Sequence, residues 1–131
     1  MPAISFIPTI PMLEVFLISE PKQLYKIERF KQMDLPPMGN AIAKTCHMAN
    51  QETGEEIVVI VYPNMLTDEP ANVLCTLVHE AVHAWDYIRS VYGYDHDSET
   101  NAYSIEHIFK GLFEVYSAHH RKQEKKNAKG T

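Results

Sequence analysis

Two histidines and a glutamate stand in one short apolar segment, "LVHEAVHAWDY", which spans residues 77–87. On a helix, residues four apart lie one turn above each other, so His79 and His83 would present two imidazoles to one ion. Glu80 would be turned by about 100° from His79 and could act on a water molecule held by that ion. Metal-assisted hydrolysis needs two such nitrogen ligands, a third protein ligand, an open position for water and a carboxylate. The pattern HExxH therefore predicts a zinc-dependent hydrolytic site.

The pattern is short enough to occur by chance, so its position on the helix must show whether the histidines could bind a metal. With 7 histidines in 131 residues, random placement would produce HExxH in roughly three chains in a hundred. On a helical wheel, one broad arc is apolar, formed by Val73, Leu74, Leu77, Val78, Ala81, Trp85 and Ile88. The opposite side carries His79, His83 and Asp86 with Asn72, Cys75 and Ser90. A packed core histidine does not fit this distribution, whereas a metal site or a solvated polar face does. Asp86 would either orient an imidazole or be an ordinary surface residue.

The segments ahead of this helix predict a short helix and a hairpin. Residues 3–18 are apolar with several prolines and predict an edge strand or an extended wrap. Ser19, followed by a proline in the first turn, indicates a helix over residues 20–33. Residues 41–49 and 55–62 predict a β-hairpin around the polar turn "QETG", with a second strand apolar enough for a sheet interior.

Two longer helices should follow the hairpin. The run "TDEP" offers Thr67 or Asp68 as N-cap and places acidic residues in the first turn of a helix that reaches about Tyr92. Residues 98–122 predict a last helix. Its apolar face would comprise Ala102, Ile105, Phe109, Leu112 and Tyr116. The order helix, hairpin, helix, helix indicates an α+β fold with a small β-sheet packed on the HExxH helix.

Length and charge limit the number of domains and the kinds of partner that this protein can have. A chain of 131 residues with 45% hydrophobic content supports one core, which we expect residues 1–122 to form, with residues 123–131 as a basic, flexible tail. The net charge of −5 divides unevenly, because 7 basic and 16 acidic residues precede Arg121, a net of −9. Since nucleic-acid-binding domains carry a basic face, the composition argues against a nucleic-acid partner.

The compartment follows from the same composition. The first 17 residues lack the basic region of a signal peptide, and no apolar run approaches membrane-spanning length. We therefore expect a cytoplasmic protein without a membrane partner. Cys46 and Cys75 have neither CxxC spacing nor a secretory context, so we expect reduced, packed thiols, one in a strand and one in a helix.

The residues after HExxH indicate the type of metallopeptidase. Metzincins continue as HExxHxxGxxH and later place a methionine turn, but here Asp86 and Arg89 stand at those positions and no methionine follows Met65. The segment "SETNAYSIEHIF" resembles the next helix of gluzincin-type metallopeptidases, which supplies a glutamate in a Glu-x-x-Ala context. Residues 74–116 are also similar to small phage-encoded metallopeptidases. The resemblance implies a zincin-like domain with one Zn²⁺, held by His79, His83 and Glu99.

The same resemblance implies Glu80 as general base and leaves other roles open. Glu99 would be the third ligand or simply a first-turn acid that favours the helix. Tyr103 would donate its hydroxyl to the oxyanion of a tetrahedral intermediate, or pack as an aromatic. His107 has the same two readings and is more typical of a surface residue. SprT-like zinc proteins use a later histidine, which makes His96, or the neighbouring Asp97, the alternative ligand, although "DHDSE" lacks the flanking glycines of that family.

These residues predict a zinc metallopeptidase that cleaves a peptide or protein substrate in the cytoplasm, or in the host cytoplasm if a phage encodes it. The alternative is a non-catalytic, metal-stabilised module for phage assembly or host interaction. Glu80 separates the two, because a structural metal site needs no general base at that position. Its presence favours the enzyme.

Overall fold

The computed structural model describes residues 4–5, 14–25, 38–49, 54–92 and 98–129, and these form an α+β fold. In chain order, the elements are β1 (Ile4–Ser5), β2 (Glu14–Ile18), α1 (Pro21–Tyr25), β3 (Lys44–Ala49), β4 (Glu56–Val61), α2 (Pro70–Tyr92) and α3 (Ser98–Lys129). The four strands form one mixed sheet in the order β1-β2-β4-β3. The predicted fold class is confirmed at this level.

The predicted hairpin is confirmed, and its second strand lies in the sheet interior. β3 and β4 pair in antiparallel register, with Thr45 opposite Ile60 and His47 opposite Val58. Gly54, just before β4, has a φ of 74°, a left-handed conformation that glycine adopts without a steric penalty. The turn residues 50–53 lie outside the described residues. β3 therefore forms one edge of the described sheet.

Residues 14–18, which form β2, differ from the expectation of an edge strand or an extended wrap. β2 pairs in parallel with β4, with Val15 opposite Val58, and is flanked on its other side by β1. Its core, "VFLI", is fully buried, as is typical of a strand covered on both faces. The prediction was wrong for β2 because the prolines that suggested an edge precede the strand and do not interrupt it.

The starts of the helices are set by different residues from those predicted. α1 begins at Pro21, and the amide oxygen of Gln23 accepts the backbone N–H of Ser19 at 2.8 Å. The rest of the predicted helix over residues 20–33 lies outside the described residues. α2 begins at Pro70, and the carbonyl of Glu69 accepts the N–H of Val73, so Glu69 holds the cap position.

Neither predicted N-cap of α2 acts as one. The Asp68 carboxylate accepts the Tyr62 hydroxyl at 2.8 Å, and the Thr67 hydroxyl donates to the Asn64 carbonyl at 3.3 Å. The first turn of α2 contains no acidic residue. The prediction failed because residues 63–69 fold as a turn that ties back to the end of β4, and proline at the first helical position fixes the start.

The core lies between the sheet and the two long helices. Val15, Leu17, Val58 and Ile60 project from one face of the sheet onto a buried cluster of helical residues. The helical side of the cluster comprises Val73, Leu77, Ala81, Ala84, Trp85, Ile88, Ile108, Leu112 and Tyr116. The opposite sheet face buries Phe16, Ile18, Ile57, Val59 and Val61 with Leu24 of α1. α2 contacts β3 and β4, whereas α3 contacts β1 and α2.

α3 packs on α2 and is longer than predicted. The indole N–H of Trp85 donates to the side-chain oxygen of Asn101 at 2.8 Å, which joins the two helices. On the predicted apolar face, Leu112 and Tyr116 are buried and Ile105 and Phe109 partly so, whereas Ala102 is exposed and Ile108 is buried instead. The helix continues to Lys129, since residues 123–129 are mostly strong helix formers and contain neither glycine nor proline. No helix among the described residues has the length and apolarity to cross a membrane.

The two cysteines lie in the predicted strand and helix but differ in exposure. Both are free thiols, with Cys46 of β3 buried and Cys75 of α2 exposed. Burial raises the pKa of the Cys46 thiol, and the Lys44 charge offsets part of this effect. The expectation of packed thiols is thus right for Cys46 and wrong for Cys75, because Cys75 lies on the polar side of α2.

Cys75 should react with iodoacetamide in the folded protein at least about tenfold faster than Cys46, because only the Cys75 thiol is exposed to the reagent, and burial raises the pKa of the Cys46 thiol. Mass spectrometry of the alkylated peptides measures the two rates. In a Cys75→Ser variant, labelling should fall to the slow phase and recover in denaturant. Equal labelling of both thiols in the native protein would contradict the burial of Cys46.

Candidate metal centre

α2 presents its polar side chains as the helical wheel predicts. Leu77, Ala81 and Ile88 are fully buried, whereas His79 and His83 are exposed. The buried arc is narrower than predicted on one side, since Val78 is 43% exposed. It is wider on the other side, where Glu80 is buried. The histidines thus face solvent, and the glutamate between them faces the protein.

The two imidazoles converge through the same ring atom. Nε2 of His79 lies 3.2 Å from Nε2 of His83, and the ring planes are inclined by 72° with centroids 4.8 Å apart. In two neutral imidazoles with Nε2 lone pairs, such a contact is repulsive unless a proton or a cation lies between the nitrogens. A proton on one ring's Nε2, donated to the Nε2 lone pair of the other ring, meets this requirement, and so does a cation bound by both nitrogens.

The spacing of these nitrogens fits a zinc ion. Two nitrogens bound at about 2.05 Å with a tetrahedral angle would be separated by about 3.3 Å. The observed 3.2 Å agrees with that value, and zinc is commonly bound by imidazole nitrogen. His79 and His83 would thus be two of its ligands without a change in backbone.

Glu80 lies at the seam between α2 and the edge strand β3. The residue is only 4% exposed, and its Oε2 accepts the Thr45 hydroxyl at 2.5 Å, a distance in the range of a hydroxyl donating to a carboxylate. The same hydroxyl lies 3.3 Å from the Glu80 carbonyl. Glu80 is turned by about 60° from His83 on the helix, so its side chain emerges between the histidine face and the sheet.

An open cleft runs beside this seam. It has a volume of about 470 Å³ and is lined by Asn40, Ile42, Ala43, Cys75, Thr76, His79 and Glu80. One wall is the segment that leads into β3, and the other is the first half of α2. Ile42 is among the most exposed large apolar side chains of the described residues. A molecule in this cleft would contact His79 and Glu80 together.

The structure does not bring Glu99 to the histidine pair. Glu99 is exposed in the first turn of α3, and α3 contacts α2 through Trp85 and Asn101. Trp85 is turned by about 120° from His79 and by about 160° from His83 on the α2 wheel. In the part of the chain that the structure describes, no group of three or more His, Cys, Asp or Glu residues is close enough to hold a metal ion. Glu99 as third ligand stays a prediction.

The remaining candidates lie in three places. His96 and Asp97, the alternative ligands, are outside the described residues. Tyr103 is 64% exposed on α3, which does not match a packed aromatic. Asp86 is exposed and accepts a hydrogen bond from the Arg89 guanidinium at 3.2 Å, and His107 is exposed.

Thr45 of β3 contacts the site through Glu80 and was missed by sequence reasoning. Thr45 and His47 are two apart on one strand, so their side chains share the face towards α2. The His47 ring lies 5.7 Å from the ring of Tyr87, and its Nε2 is buried 3.6 Å from Glu56 Oε1 without a hydrogen-bond partner among the described residues. Only the polar alternation of "KTCHMA" hinted at this face, since it places Thr45 and His47 opposite Cys46 and Met48.

No family model, curated protein or solved structure matches this chain. The interpretation of the site therefore depends on its own residues. Those residues are the converging His79 and His83 and the buried Glu80 beside an open cleft.

Protein loaded with zinc and dialysed should retain about one ion per chain, because two oriented imidazoles and one further ligand would form a single site. His79→Asn and His83→Asn should each lose most of the bound metal, measured by atomic emission. The exposed His107→Asn is the matched control and should keep full occupancy. Equal zinc content in all four proteins would exclude a centre at the histidine pair.

The third ligand can be identified with the same measurement. If Glu99 is a ligand, Glu99→Gln should weaken zinc binding at least about tenfold, whereas Glu106→Gln on the same exposed helix should not. Unchanged affinity in Glu99→Gln together with loss in His96→Asn or Asp97→Asn would move the third ligand to residues 96–97.

Proposed function

We propose that this protein is a zinc-dependent hydrolase that cleaves peptide bonds, with Glu80 as its general base. The observation that carries the proposal is the convergence of His79 Nε2 and His83 Nε2 at 3.2 Å on the exposed face of α2. Glu80 is adjacent to His79, and both residues line the open cleft at the start of β3. Together they supply the two nitrogen ligands and the carboxylate that metal-assisted hydrolysis needs.

The residues of the chain have separate tasks in this reaction. A zinc ion bound at this site would supply an acidified water and polarise the substrate carbonyl. Glu80 accepts the proton of the attacking water and then returns it to the leaving amine. His79 and His83 would hold the metal through their Nε2 atoms. Glu99 is the proposed third ligand, and Tyr103 is proposed to donate its hydroxyl to the oxyanion.

The architecture around the site supports a zincin-like arrangement. In the described sheet, β3 is an edge strand next to the helix that carries the HExxH motif, and Thr45 joins the two. An edge strand has unpaired backbone groups that an extended peptide can use by strand addition. The cleft at the start of β3 would then receive one side chain of that peptide, near Glu80. Peptide and protein substrates are therefore proposed over smaller amides.

One observation favours the second candidate, a metal-stabilised module without catalysis. Glu80 is nearly fully buried and bonded to the β3 hydroxyl, which gives a glutamate at this position a structural use. In that case, the metal would stabilise the fold and the carboxylate would join α2 to the sheet. Replacement of the carboxylate by the isosteric amide separates the two functions.

Glu80→Gln should retain zinc and fold, because the amide oxygen still accepts the Thr45 hydroxyl, yet lose hydrolysis at least about a hundredfold because the amide cannot take a proton. The measurement is kcat/KM on a library of quenched fluorescent peptides with zinc-loaded protein. Glu106→Gln on exposed α3 is the matched control and should match wild type.

Two results would count against the enzyme. Full turnover by zinc-loaded Glu80→Gln would remove Glu80 as the base. A wild-type protein that binds zinc, gains thermal stability from it and cleaves none of the peptides would support the structural module instead.

A further inference from the structure

A single hydroxyl links the edge strand to the carboxylate of the candidate site. Thr45 is 8% exposed on β3, and its Oγ1 donates to Oε2 of Glu80, which is 4% exposed on α2. The two residues are 35 positions apart in the chain, so the contact is a product of the fold. This hydrogen bond ties the Glu80 carboxylate to the strand, and it lies beside the cleft wall that contains Glu80.

The strand gives this hydroxyl a fixed position. Thr45 pairs with Ile60 in the antiparallel ladder, and Ile60 is fully buried in the core between sheet and helices. A β-branched side chain also has few χ1 rotamers, so the hydroxyl direction is set once the strand is formed. Glu80 lacks such restraint, because its longer side chain has several rotatable bonds.

A general base works only in a narrow range of positions. A carboxylate that accepts the proton of an attacking water must lie within hydrogen-bond reach of it, and small displacements reduce rates strongly. A bond from Thr45 to Oε2 fixes one oxygen on the sheet side. The other oxygen, Oε1, is then left for the proton that is transferred.

We propose that Thr45 is a positioning residue of the active site: its hydroxyl holds Oε2 of Glu80 so that Oε1 faces the water and the scissile bond. This inference rests on the proposed function, since it assigns an orientation to the base of that reaction. Thr45 itself touches neither the metal nor the substrate. It acts through Glu80, and it makes the edge strand a part of the catalytic apparatus.

A merely structural bond and a positioning bond predict different behaviour in two variants. Thr45→Val keeps the shape of the side chain and removes the hydroxyl. Thr45→Ser keeps the hydroxyl and removes the methyl group. Positioning predicts that kcat falls about ten- to a hundredfold in Thr45→Val, with KM and zinc content unchanged. Thr45→Ser should recover most of kcat. Thr67→Val, which removes an exposed hydroxyl bonded to a turn carbonyl, is the matched control.

A ligand titration tests the same inference without turnover. Acetohydroxamate binds zinc through two oxygens and passes its proton to a neighbouring carboxylate, so its affinity reports where Glu80 is held. Imidazole binds zinc and needs no proton acceptor. Calorimetry on zinc-loaded protein should show acetohydroxamate affinity about tenfold weaker in Thr45→Val and close to wild type in Thr45→Ser. Imidazole affinity should be equal in all three.

The outcomes separate this inference from the proposed function. Wild-type kcat and acetohydroxamate affinity in Thr45→Val would overturn the positioning role, as would equal losses in Thr45→Val and Thr45→Ser or a loss of zinc. If wild type binds zinc but cleaves no peptide, the peptidase proposal fails, and the acetohydroxamate ratio still decides whether Thr45 orients Glu80. If wild type binds no zinc, both proposals fail.

Discussion

The orientation of α2 about its own axis determines which of its side chains form the candidate site. Leu77, Ala81 and Ile88 are fully buried in the core that α2 shares with the sheet and α3, and this burial fixes which side chains are left outside. His83 and Glu80 are separated by about 60° on the wheel, so a rotation of that size would either bury the histidine or expose the carboxylate. The burial of apolar surface, the largest favourable term in folding, thus sets the orientation of polar groups that contribute little to it.

At the seam between α2 and β3, the Glu80 carboxylate is buried and hydrogen-bonded and also borders an open cleft. Removal of a carboxylate from water is costly unless it accepts hydrogen bonds, and the Thr45 hydroxyl supplies one. Because β3 is at the sheet edge, the carboxylate is enclosed on the strand side but remains in contact with an open cleft. A glutamate under a central strand would be desolvated without any access to the cleft.

Two features that depend on residues close together in the chain were predicted correctly from the sequence. The exposure of His79 and His83 followed from the helical repeat, and the hairpin followed from two extended runs around a polar turn. The interior position of β2 could not be predicted in this way, because its parallel pairing depends on β4, some forty residues further along the chain. The Thr45 contact was missed for the same reason, since only the folded sheet places it beside Glu80.

The position of Glu99 depends on a different non-local quantity, the packing of α3 on α2. The sequence places Glu99 at the border of the apolar face of α3, and that border can lie on either side of the seam between the helices. The Trp85–Asn101 hydrogen bond shows which side of α2 receives α3, and it is not the side of the histidines. A helical wheel for one helix contains no information on its neighbour.

The length of α3 has an electrostatic consequence. Tyr116 is the last buried residue of the helix, and at 1.5 Å per residue Lys129 lies about 20 Å beyond it. This distance exceeds a Debye length of about 8 Å at physiological salt, so the charges at the far end are largely screened from the acidic remainder. The pI of about 5.8 is therefore an average over a basic helix end and an acidic remainder.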